Sequence, residues 1–185
     1  MIMKLQMRVI LTIVAIAGAV FMMACEQIDE ANKLIQSSNK KVAEAAALLD
    51  KTTSDSSALL STEFEDAQDF KAKNEAKAKE ILANYDKCSE MFKAAAKDYE
   101  DAGKLKVNDK LKSYLDLKGK QTAKTSEYIA ALKGGIQAFL NAPDADALTK
   151  LIGEAKTKTE GLEKEVDALN TQVKKFEDDN KDMFK

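Results

Sequence analysis

The chain has 185 residues, with 29 lysines and arginines against 31 aspartates and glutamates, a formal net charge of −2, and neither histidine nor tryptophan. Without histidine there is no Ser-His-Asp or Cys-His catalysis and no di-iron site of the Glu-x-x-His kind. Arg8 is the only arginine, so bidentate clamps on phosphate or carboxylate are absent, and the acidic balance argues against nucleic-acid binding.

Lys4 and Arg8 form a short positive region, residues 9–23 are almost uninterrupted hydrocarbon, and Ala24 and Cys25 precede a charged, lysine-rich chain. A basic start, a short apolar core and a small residue before a cut are the marks of a cleaved signal. The stretch Met22-Met23-Ala24-Cys25 resembles the processing site of bacterial lipoproteins, with Met23 at a position usually given to a small residue. That resemblance covers the leader alone. It implies a signal peptide over 1–24, a cut between Ala24 and Cys25, a diacylglyceryl group on the Cys25 sulfur, and an acyl chain such as palmitate on the new amine. Two or more acyl chains hold a protein stably on a membrane, whereas one holds it only reversibly. An uncleaved membrane helix fits less well, because the apolar run falls short of the ~20 residues a span needs. Placement outside the cytoplasm follows, lipid-anchored at the cell envelope, on either of its membranes.

Setting aside Lys4 and Arg8 takes the 29 basic residues to 27 against 31 acids, a side-chain charge of −4 for a single domain over 25–185. With one proline and seven glycines among abundant alanine, lysine and leucine, the composition favours long helices. The first is expected over 26–51, where Ile28, Ala31, Ile35, Ser38, Val42, Ala45 and Leu49 recur at alternating three and four. Residues 52–61, TTSDSSALLS, read as a turn, because their side chains compete for backbone hydrogen bonds. Thr62-Glu63-Phe64-Glu65 then resembles a capping box opening a second helix over 62–102, whose seam runs from Asn74 through Ala78, Ile81, Tyr85 and Cys88 to Ala102. Gly103 is a natural stop.

The third helix is expected over 107–140, with Leu111, Leu115, Tyr128, Ile129, Leu132 and Ile136 on one stripe and a polar middle over 118–126. Gly134-Gly135 reads as a close helix contact or mild kink rather than a hinge. Pro143 breaks the chain, and Asp144 can cap a fourth helix over 145–182. That helix carries the clearest seam, from Leu148 through Leu162, Val166 and Val173 to Met183. Asp144 and Asp146 are too few oxygens for a calcium loop. Cys88 falls on a seam, either as a buried small hydrophobe or as one half of an intermolecular disulfide.

These pieces predict an all-α fold: an elongated, coiled-coil-like antiparallel four-helix bundle behind an N-terminal hydrophobic signal helix. Seam polars Asn74, Gln121 and Asn180 are expected to fix register. Up-down-up-down order places the 103–109 turn at the lipid end, so Lys104, Lys106, Lys110 and Lys112 are candidate contacts to anionic headgroups, opposed by Glu177, Asp178 and Asp179. The expected function is a non-enzymatic envelope lipoprotein: a spacer, scaffold or partner-binding module without metal or cofactor beyond the covalent lipid. The alternative is an envelope chaperone or carrier taking apolar ligands between its helices, beside Tyr85, Phe92, Tyr99 and Tyr128. In cells, Cys25→Ala is expected to lose the lipid mass and membrane retention; unchanged mass and retention would end the lipoprotein reading.

Overall fold

A computed structural model describes residues 26–63 and 65–184. The leader lies outside the described residues, and with it the expected cleavage at Ala24 and lipidation at Cys25. Among the described residues there are four helices and no strand: α1 (Glu26–Leu60), α2 (Ala67–Lys104), α3 (Asp109–Asn141) and α4 (Ala145–Asp179), followed by a 3₁₀ turn, Lys181–Phe184. The helices pack on one another as an all-α bundle, and the close backbone approaches join α1 to α2, α2 to α3 and α3 to α4.

Each pairing is antiparallel, as its side-chain bonds show. Between α1 and α2, Tyr99 donates to Asn39 Oδ1 at 2.6 Å, Ser38 to the Ala95 carbonyl at 2.8 Å, and Ser56 and Tyr85 share a bond of 2.9 Å. Residue numbers rise on one helix as they fall on the other. Between α2 and α3, the Ser89 and Ser126 hydroxyls meet at 2.7 Å, and Lys133 reaches Asp86 at 2.6 Å. Between α3 and α4, Tyr114 donates to Glu177 at 2.9 Å, Gln121 to Asn170 at 2.6 Å, and Lys124 pairs with Glu165 at 3.0 Å.

The first connection departs from expectation. Residues 52–60 remain helical, because Thr52 donates to the Leu48 carbonyl at 2.7 Å and Ser56 to the Thr52 carbonyl at 2.8 Å, satisfying the hydroxyls within the helix. Thr52, Ser56 and Leu59 are buried and continue the three-four spacing beyond Leu49. Thr62 therefore closes α1, its hydroxyl on the Leu59 carbonyl at 2.7 Å, instead of opening α2. Asp66 caps α2, accepting from Gln68 and Asp69 backbone N–H groups at 2.8 and 2.9 Å, while Asp69 reaches back to the Glu65 N–H at 3.1 Å. Asp144 caps α4 through the Ala147 N–H at 2.8 Å.

The core lies mainly among α1, α2 and α3. Ala31, Val42, Ala45 and Leu49 face Ile81, Tyr85, Phe92 and Tyr99, while α4 adds only Leu162 and Val166 to the same cluster. α3 is central, covered by α2 and α4, so its polar middle is interior: Lys118, Gln121, Thr122, Thr125 and Ser126 are buried. Thr122 and Thr125 stay satisfied by donating to the Lys118 and Gln121 carbonyls at 2.7 and 2.9 Å. Gly134 approaches α4, where an added Cβ would stand 3.9 Å from that of Ala155, and α3 runs through it without a break. Of the expected register residues, Gln121 alone bonds across helices. Asn180 donates to the Phe176 carbonyl of its own helix at 2.9 Å, and Asn74 lies 3.5 Å from Thr62 at an exposed site. Asp66→Ala is expected to cost about 1 kcal/mol, read as a lower urea midpoint, with Thr62→Ala costing less; the reverse order would restore the capping role to Thr62.

Candidate functional site: the turn end of the bundle

The α2–α3 connection is short and fixed at both sides. The Leu105 N–H donates to the Ala102 carbonyl at 3.2 Å, and the Val107 N–H to the Leu105 carbonyl at 2.8 Å. Asn108 caps α3 by accepting from the Leu111 N–H at 2.8 Å. The Lys106 N–H donates to Gln27 Oε1 at 2.8 Å, which fastens the second residue of α1 to this turn. The C-terminal 3₁₀ turn reaches the same end, its Phe184 ring 5.0 Å from Tyr114 and the Phe176 ring 5.7 Å from it.

All four expected surface lysines gather here and are exposed. Lys104 pairs with Glu100 at 2.6 Å and Asp101 at 3.2 Å, and these bonds raise its ammonium above the usual lysine range. Lys106, Lys110 and Lys112 form no ion pair with a described residue. The opposing acids are less free than the sequence suggests: Glu177 turns inward to accept from Tyr114, while Asp178 and Asp179 remain exposed.

Above the turn, α2 and α3 enclose an open groove of about 920 Å³. Its floor is Ala96, Gly103, Leu115, Gly119 and Ala123, and its rim is Lys93, Lys97, Lys104, Lys112 and Lys120 with Glu100 and Asp116. At Gly119 an added Cβ would stand 3.7 Å from the Ala96 carbonyl and 3.8 Å from the Tyr99 Cβ, ordinary contact distances, so α2 and α3 lie within one methyl group of touching there. Lys93, Lys97 and Lys120 escaped sequence reading because interspersed charge on one helix reads as a solvated face; only the α2–α3 pairing brings Lys93 and Lys97 of α2 to one groove with Lys112 and Lys120 of α3.

Behind the groove, all four helices meet at one level. Tyr99 of α2 donates to Asn39 of α1 at 2.6 Å, the buried Lys118 ammonium of α3 lies 5.9 Å from the Tyr99 ring centre, and Glu177 of α4 accepts from Tyr114. Burial lowers the proton affinity of Lys118, and the Glu177 charge partly restores it. Burial pushes the Tyr99 and Tyr114 phenols upward, with the Glu177 charge adding to both. Cys88 is fully buried and burial pushes its thiol up to about 11, so it packs as a small apolar group.

Among the described residues no group of acidic or cysteine side chains is arranged to hold a metal, and no helix is long and apolar enough to cross a membrane. No family model, curated protein or solved structure matches this chain. Glu177→Ala, which leaves the Tyr114 hydroxyl without its acceptor, is expected to lower the urea stability by about 1–3 kcal/mol, whereas Lys118→Met leaves it equal or higher, since the methionine needs no desolvated charge. Loss in both variants to the same degree would mean that an ion pair of the two residues holds α4.

Proposed function

We propose that the chain is a non-enzymatic lipoprotein of the bacterial envelope, an elongated, coiled-coil-like four-helix rod standing on fatty chains at Cys25 and acting as a spacer or partner-binding scaffold. The supporting observation is the bond from the Lys106 N–H to Gln27 Oε1. It groups the α2–α3 turn, its four lysines and the start of α1, so a lipid at Cys25 would bring Lys104, Lys106, Lys110 and Lys112 to the headgroups. Lysines near an anionic surface are worth about 1 kcal/mol each.

The opposite end is chemically different. Its two connections carry Glu63, Glu65 and Asp66 on one side and Asp144 and Asp146 on the other, all exposed. A helix of 35 residues such as α1 is about 50 Å long at 1.5 Å per residue. In this reading the acidic tip is presented to partners well clear of the bilayer. The aromatic residues suggested for an interior ligand site are committed to packing: Tyr85, Phe92, Tyr99 and Tyr128 are buried, with the Tyr85 and Tyr99 hydroxyls bonded to Ser56 and Asn39. That favours the scaffold over a carrier that opens its core.

The test uses full-length protein processed in bacterial cells and reconstituted in anionic vesicles. A fluorophore is placed at Lys110→Cys or at Glu63→Cys in a Cys88→Ala background, with an energy acceptor on the headgroups. Strong transfer from position 110 and weak transfer from position 63 is the expected result. Equal transfer from the two would lay the rod flat and overturn the standing geometry.

A further inference from the structure

We propose that the groove between α2 and α3 is a binding site for a single anionic phospholipid, its phosphate held at the lysine rim and the upper part of its acyl chain laid along the small-residue floor. The assignment rests on the lipoprotein reading for its source of lipid, and on the groove for its chemistry.

Shape comes first. At about 920 Å³ the groove falls within the range of small-molecule sites. It is floored by Ala96, Gly119, Ala123 and Leu115, which offer hydrocarbon and few polar atoms. An inorganic anion has no use for such a floor, whereas an amphiphile does. Charge comes second. The rim carries five lysines against Glu100 and Asp116, on a chain whose overall charge is −2. Lys97 is tied to Asp101, Lys104 to Glu100, and Lys120 to Asp116 at 2.6 Å. Lys93 and Lys112 pair with no described acid and stand toward opposite ends of the groove. One phosphate can reach only one of them, and Lys112, at the end beside the turn, is the ammonium left for it.

Position is the third argument. The groove runs up from the α2–α3 turn, beginning at Gly103, Lys104 and Lys112. The same turn holds the start of α1 through Gln27. From Lys93 to Lys104 the α2 wall is about 16 Å long at 1.5 Å per residue. A lipid drawn from the bilayer would therefore enter at the turn and rise beside Leu115.

Native mass spectrometry of the full-length chain in a nonionic detergent tests this directly. Titrated with phosphatidylglycerol or phosphatidylcholine, the wild-type chain is expected to retain the anionic lipid about tenfold better. The double variant Lys93→Glu/Lys112→Glu should lose that preference. Ala123→Trp, at an exposed position of the groove floor, should block the adduct without altering charge, with helicity checked by circular dichroism. Equal retention of the two lipids by the wild-type chain, or undiminished anionic-lipid binding by both variants, would overturn the site. Displacement of phosphatidylglycerol by an equal concentration of a hexaglutamate peptide would overturn the lipid assignment in favour of an acidic protein partner. Acyl groups on Cys25 stay with the chain when the same sample is denatured and the groove lipid does not. Absence of that covalent mass thus counts against the anchor alone.

Discussion

One level of the bundle holds the rest in place. There the Tyr99 hydroxyl reaches Asn39 of α1, the Lys118 ammonium lies against the Tyr99 ring, and Tyr114 on the same helix as Lys118 bonds Glu177 of α4. A polar side chain in an interior must find a partner or leave its desolvation uncompensated. Each of these bonds can form at only one register of its helix pair. Between large side chains such as Phe70, Ile81, Phe92 and Ile129 the seams carry many small ones, with Ala31, Ala45, Ala78, Ala95 and Ala102 fully buried. Alanine seams let backbones approach but resist sliding weakly, since one alanine fits another's place. Ser38 on the Ala95 carbonyl and Ser89 on Ser126 supply the specificity that apolar volume does not.

α4 belongs to this arrangement on different terms. Its contact with α3 is built from polar pairs, Tyr114–Glu177, Gln121–Asn170 and Lys124–Glu165, around three buried apolar residues, Leu162, Val166 and Val173. Leu151 remains 36% exposed on the same helix. Few buried apolar contacts and solvent-facing bonds are the features of segments that open first. The α1–α2–α3 interior, by contrast, buries Phe70, Ile81, Phe92 and Ile129 together.

That asymmetry also explains what the sequence could and could not reveal. Four helices, their apolar stripes and the Asp144 cap were legible, because three-four spacing and capping chemistry are local. α4 has the most regular stripe and yet the shallowest burial. Periodicity reports that a stripe exists, not how many neighbours cover it. The polar middle of α3 was the opposite case: Gln121 and Thr125 lie where the seam passes, but Thr122 looks like a solvent residue, and both threonines satisfy themselves on their own helix and sit inside. The 52–60 segment deceived in the same way, and the continuing spacing from Leu49 through Thr52 and Ser56 to Leu59 was the signal that outweighed its serines. Among the lysines, the turn group stood out by crowding in sequence. Those on the groove rim needed two helices aligned.

Four antiparallel helices return the chain to the end where it began, and this decides how charge is distributed. The turn lysines lie beside Gln27, and the acids of the 61–66 and 141–146 connections lie at the far end. If the bundle is tethered through Cys25 as proposed, the separation would have an electrostatic consequence. At physiological ionic strength the field of a charged bilayer decays over about 8 Å, far less than the ~50 Å of a 35-residue helix. The acidic tip then feels almost none of the surface and cannot orient the rod by repulsion. The base lysines would lie within reach: Lys104 is already paired with Glu100 and Asp101, Lys106, Lys110 and Lys112 pair with no described acid, and Glu177 is turned inward to Tyr114. The bond that docks α4 on the bundle thus also holds one carboxylate of that end, half-buried and still charged, against Tyr114 instead of leaving it free to swing among the lysines.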